Sequence, residues 1–233
     1  MLPAMCPSDA FEAEVLRING RFNSEIIEGL SVCPYAAPAR GAGGSVRRIL
    51  WDRVVTEQQL LEVATGLAAD DAIEVAQVIM PRLTLNAAQT LELGQRFGAV
   101  NAARAAETRE GQRPTFVHAV FHPELPYKVD TPAQLVPFFR RSPDPFVQMV
   151  RLAVLDDLHA KRPRGTQFFD GSPDDLARLL AAKPVKSVTD LITDENHRAA
   201  VQAGNLARIA AILADILADR ARAYAPFAHE ERA

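Results

Sequence analysis

Five histidines and two cysteines hold most of the reactive capacity of this 233-residue chain. His118 and His122 form an HxxxH spacing, which on a helix would turn two imidazoles toward one zinc ion. The apolar run 116–121 around them reads instead as a strand closed by His122-Pro123. Four residues along a strand span about 13 Å at roughly 3.3 Å per residue, so one metal cannot take both. His118 is expected inside the protein. His122, the last residue before a proline, is expected at the strand end, where a general base can meet a substrate. Cys33 follows a helix and precedes Pro34. It is the candidate nucleophile, although a nearby helix C-terminus disfavours the thiolate unless cations such as Arg40, Arg47 or Arg48 intervene; without them it reads as an inert buried thiol. Arg141 and Ser142 precede a long apolar segment in which Gln148 and Arg151 lie three apart, a set able to hold a carboxylate or phosphate. An arginine buried at 151 would otherwise need an internal acid, with Asp144, Asp156 and Asp52 the candidates. The glycines of 41–45 precede a strand rather than following one, so they read as a connector and not as a phosphate loop.

The elements that must position these residues follow from periodicity and caps. Phe11, Val15, Ile18, Phe22, Ile26 and Leu30 recur at steps of three or four, which predicts a helix over 9–30, and the prolines and glycines of 33–44 predict a loop. A strand over 46–51 leads to Thr56 and Gln59, a capping box with Val55 placed to staple onto Leu60, and a helix to about 68. A second strand over 73–80, a helix over 86–107 and the strand 116–121 complete a βαβαβ series. Such alternation implies a mainly parallel three-stranded sheet with function at the carboxyl ends of its strands. The remainder reads as helical. Thr131-Pro132 starts one helix, 145–159 forms a buried helix apolar on nearly every face, a basic link covers 161–165, Ser172-Pro173 opens a short helix, and 194–223 forms the last. The expected organisation is an α/β core domain over 9–160 and a helical extension over 161–233.

Composition narrows the function classes. With 48% hydrophobic and 24% charged residues the chain is neither disordered nor fibrous. Twenty-six lysines and arginines against 29 acids give a net charge of −3, too little positive field to favour nucleic acid or an anionic membrane. Two cysteines exclude a disulfide scaffold and fit a reducing, cytoplasmic setting. Neither a signal peptide nor a membrane span is indicated.

The stretches Gly29-Leu30-Ser31-Val32-Cys33-Pro34-Tyr35-Ala36, Val120-Phe121-His122-Pro123 and Arg141-Ser142-Pro143-Asp144-Pro145 are similar to GLNLCPFA, SFHP and NRSPYP of a bacterial family, domain of unknown function 1415. The segment through Arg151 matches as well, and Gly204-Asn205-Leu206 corresponds to a late asparagine. The resemblance covers 10–160 well and the rest poorly, and it implies no activity. Where the family is expected to carry histidines, this chain has Met80 and Gln148. The resemblance therefore implies that a three-histidine metal site, if relatives build one, is altered here, because thioether and amide are poor ligands for zinc or iron. No histidine-held zinc is expected. Much of 161–200 has no family counterpart and reads as an inserted helical segment.

These residues point to an enzyme acting on a small anionic molecule at the carboxyl edge, by acyl transfer or hydrolysis. Cys33 and His122 would supply nucleophile and base, and Arg141, Ser142, Gln148 and Arg151 would hold the substrate. Two other classes compete. Cys33-Pro34 could offer a thiolate to haem in a ligand-binding protein, and the last helix could serve as an interaction module, including a homodimer through helices.

Overall fold

Ser8 caps the first helix by accepting from the Phe11 amide, and the stripe that follows, Phe11, Val15, Ile18 and Phe22, is fully buried. This helix, α1 (Asp9–Phe22), continues as a π-helical turn over Asn23–Glu28. The computed structural model describes residues 8–30, 32–33, 36–107, 113–160 and 188–232. After α1 come α2 (Ala36–Gly41), β1 (Ser45–Ile49), α3 (Glu57–Ala68), β2 (Val75–Ile79), α4 (Ala87–Glu107) and β3 (Phe116–Phe121). Then follow α5 (Pro132–Phe139), β4 (Phe146–Arg151), α6 (Leu152–Ala160), α7 (Val188–His197), a π turn at Arg198–Gln202, and α8 (Leu206–Tyr224). The Thr56 capping box forms in both directions, and Val55 and Leu60 share one core cluster as the staple requires.

The expected three-stranded sheet has a fourth strand. Strand order is β1-β2-β4-β3, with β1 and β2 parallel and β4 antiparallel to both β2 and β3. The three strands read from sequence do run in one direction, but β4 lies between two of them. The segment 145–159, read as one buried helix, is in fact β4 running directly into α6. A central strand buried on both faces shows no alternation, and a continuous apolar run fits strand or helix equally. Two further readings are corrected. The expected loop 33–44 contains α2, with Gly43 at φ +77° making the turn into β1. The expected last helix is broken, because Gly204 adopts φ +71° between the π turn and α8. The link 161–165 and the short helix at Ser172 lie outside the described residues.

Helices cover both faces of the sheet. Against one face α3 and α4 pack on Ala76, Val78, Met149, Val147 and Phe116. Gly94 of α4 lies so close to β3 that a Cβ there would stand 2.3 Å from Val120 Cγ2. Against the other face α1, α5 and α8 pack on Ile79, Phe121 and Phe146. Ile209, Leu213 and Ile216 of α8 are buried in that cluster. Among the described residues no single helix is long and apolar enough to cross a membrane.

Buried Asp144 anchors α8 to the turn before β4. It accepts from Arg220 Nε at 2.7 Å and from the Tyr224 hydroxyl at 2.6 Å, while its own carbonyl accepts from Ser142 Oγ. Asp144→Ala removes the acceptor of both α8 groups and is expected to cost about 3 kcal/mol. Urea unfolding should give a lower midpoint with an unchanged m-value; a cost below about 1 kcal/mol would show that the anchor is not structural.

Candidate functional site

One largely polar row crosses the sheet on the α1 face, because Arg47, Gln77, Gln148 and Ala119 stand in register on β1, β2, β4 and β3. Both glutamines are buried and need partners. The π turn after α1 supplies one. Asn23 Nδ2 donates to Gln77 Oε1 at 2.9 Å, and Gln77 Nε2 donates back to Asn23 Oδ1 at 2.8 Å. Gln77 Nε2 also donates to Gln148 Oε1 at 3.3 Å. With its oxygen committed, Gln148 turns its amide nitrogen toward Cys33 Sγ, at 3.9 Å. Asn196 of α7 holds the cysteine's segment by donating to the Val32 carbonyl at 3.3 Å.

Ala119, small where its row neighbours are long, leaves space beside Gln148. The result is a cavity of about 210 Å³ walled by Ile27, Val117, Phe121, Phe139 and Val150, with Cys33, Gln148, Arg140, Thr193 and Asn196 among its polar residues. Arg140 is its charge. It caps the C-terminus of α5, immediately after buried Phe138 and Phe139. Its guanidinium carbon lies 6.0 Å from the Phe121 ring centre, and burial lowers its pKa. Among the described residues that guanidinium has neither a hydrogen bond nor an ion pair. The negative end of α5 offsets part of the charge.

Of the six residues singled out from sequence, Cys33 and Gln148 meet at this cavity. The other four do not join them, and the expected convergence on one cavity is corrected. His122 lines a different cavity, at the carboxyl ends of the parallel strands. Its Nδ1 accepts from the Glu124 amide at 3.1 Å and its Nε2 faces the Leu85 carbonyl at 3.2 Å, which sets an Nε2–H tautomer and leaves no nitrogen to abstract a proton. Arg141 donates from Nε to the Pro123 carbonyl at 2.9 Å and lies over Tyr127. Ser142 is buried in the Asp144 turn.

Arg151 is at the opposite end of β4 from that turn. It donates to the carbonyls of Ile73 at 2.7 Å and Asp70 at 2.6 Å, pairs with Asp71 at 3.3 Å, and lies over Phe116. None of the three acids proposed for it is its partner, because β4 is a strand and carries Arg151 away from Asp144. His118 packs under Phe97 and against Gly98, on the sheet face away from Gln148. Arg140 was not singled out. Its signal was the Phe138-Phe139 pair, which draws the following residue inward.

Comparison with known proteins returned no match to a family model, a curated protein or a solved structure.

Burial pushes His118 and His122 below the ordinary value of 6.5, since the charged ring is desolvated. As pH falls through that value the unfolded chain binds protons that the folded chain refuses, so stability declines toward acid. Unfolding free energy should be flat above about pH 7 and fall from about pH 6.5 to 5, before the low carboxylates titrate. His122→Asn should remove part of that slope; an unchanged slope in this variant and in His118→Gln would contradict the assignment.

Proposed function

We propose that the cavity beside Gln148 binds a small organic anion with an apolar body, and that Arg140 is its counter-ion. The carrying observation is the partly desolvated Arg140 guanidinium, which among the described residues has neither a hydrogen bond nor an ion pair, at the wall of an apolar cavity. A buried charge left uncompensated costs several kcal/mol, and a ligand carboxylate that completes charge-assisted hydrogen bonds offsets that cost. Gln148, Thr193 and Asn196 would fix the orientation of the anion. The apolar wall would take a small ring or short branched chain, because about 210 Å³ is below the roughly 300–1,000 Å³ of drug-sized sites.

Binding is favoured over acyl transfer or hydrolysis. The base read for a cysteine nucleophile, His122, lines the other cavity with both ring nitrogens engaged, while Gln148 Nε2 donates toward Cys33 Sγ at 3.9 Å. The cavity volume argues against haem, which exceeds drug-sized ligands. Kinship with the domain of unknown function 1415 family belongs to the same proposal. In its support, the similar stretches carry Cys33, the His122 clamp and the Ser142–Asp144 turn. A cytoplasmic setting is supported by the low cysteine count.

Benzoate tests the reading. It should bind saturably by calorimetry, with benzyl alcohol much weaker, and Arg140→Met should lower benzoate affinity by about tenfold or more. The same substitution should stabilise the ligand-free protein by about 1 kcal/mol, since it removes a partly desolvated charge that no described residue pairs. Undiminished benzoate binding by Arg140→Met, or loss of several kcal/mol of stability, would overturn the proposal.

A further inference from the structure

The carboxyl edge of the sheet holds a second, larger cavity, of about 560 Å³. It is separate from the first: its wall includes His122, whose ring is committed to Leu85 and Glu124. The parallel strands β1, β2 and β3 all end on this side, and α4 begins here with Asn86 on the wall, so its positive end is near. Each loop adds a group. Arg53 follows β1, Arg82 follows β2 and stacks over Trp51 at 5.3 Å, and Arg220 enters from α8. The cap of α4 is relevant too. Asn86 and Gln89 satisfy each other's backbone amides, which leaves the first-turn amides of Ala87 and Ala88 without an intrahelical acceptor. Acids share the region. Asp144 pairs with Arg220 and accepts from Tyr224, Glu230 accepts from the amide and hydroxyl of Ser8 and feels the charge of Arg82, and Glu124 stands on the cavity wall.

We infer that this cavity is a binding site for a phosphorylated small molecule, its phosphate held by Arg53, Arg82 and Arg220 and by the first-turn amides of α4. Three planar guanidiniums from three elements match the several oxygens of a phosphate better than one carboxylate, and helix-terminal amides add donors without rotational entropy cost. The volume lies inside the range of ligand sites, so the cavity admits an organic group as well as the phosphate. This site carries no covalent step, and the inference is independent of the anion proposed at Arg140.

Pyrophosphate serves as the probe, titrated into the full chain with chloride held at matched ionic strength. Saturable binding is expected by calorimetry, with the amide resonances of Ala87 and Ala88 shifting on addition. Arg53 is exposed, so Arg53→Ala should fold normally and weaken binding about tenfold. Arg82→Gln provides a second variant, and Arg140→Met, in the other cavity, should bind pyrophosphate like the parent. Heat no greater than chloride gives, unshifted Ala87 and Ala88 resonances, or parental affinity in both Arg53→Ala and Arg82→Gln would overturn the inference. Loss of pyrophosphate binding in Arg140→Met would overturn it too, by placing the anion in the first cavity.

Discussion

Two amides buried at the centre of a sheet must be hydrogen-bonded, and much of the architecture on one face answers that requirement for Gln77 and Gln148. They meet each other across the β2–β4 pair, but each has one more group to satisfy. The π turn after α1 brings Asn23 to Gln77; such turns recur where a helix is bent to a local task. Asn19 extends the chain by accepting from Asn23 at 2.9 Å. At the other end the remaining Gln148 donors look into the cavity and onto Cys33. A neutral chain of this kind fixes orientation without introducing charge, because each amide oxygen committed on one side sets the nitrogen on the other.

The sheet thus has two distinct chemical regions. In the cavity on its α1 face the surroundings are apolar, and the guanidinium of Arg140 sits among aromatic and aliphatic groups with a helix C-terminus as partial compensation. At its carboxyl edge the groups are mostly polar, and Arg53 and Arg82 approach from two loops and Arg220 from α8. The first region suits a molecule that is mostly hydrocarbon with one anionic group. The second suits a ligand that carries more charge than its own size can desolvate. Arg140 lies in the chain directly before Arg141, yet the two differ in role: Arg141 ties down the loop after β3, and its neighbour faces the cavity.

Local signals were readable where a cap or a period determined them. The Thr56–Gln59 box, the Phe11-to-Phe22 stripe, the Thr131-Pro132 helix start and the strand 116–121 all form as their residues indicate. What could not be read depended on partners distant in sequence. Whether 146–151 is helix or strand is decided by β2 and β3 on either side, and no period within the segment records them. That single reversal moved Arg151 to the far end of the sheet and put Gln148 opposite Gln77. Cys33 and Gln148 were identified as candidates by residue type. Their meeting depends on β4 and on Asn196, which steadies the Cys33 segment from α7. His122 was placed correctly at a strand end, but its ring nitrogens answer to two nearby backbone groups that residue spacing does not reveal.

The central claim is that Arg140 carries a half-buried positive charge whose partner is a bound anion, and the side-chain Nε–H signal of that residue tests it most directly. In protein labelled with ¹⁵N-arginine, benzoate should shift and sharpen the Arg140 Nε–H resonance in a saturable manner, while Arg53, Arg141 and Arg151 stay unchanged. An Arg140 signal indifferent to benzoate, or shifts confined to the arginines of the carboxyl edge, would contradict the account.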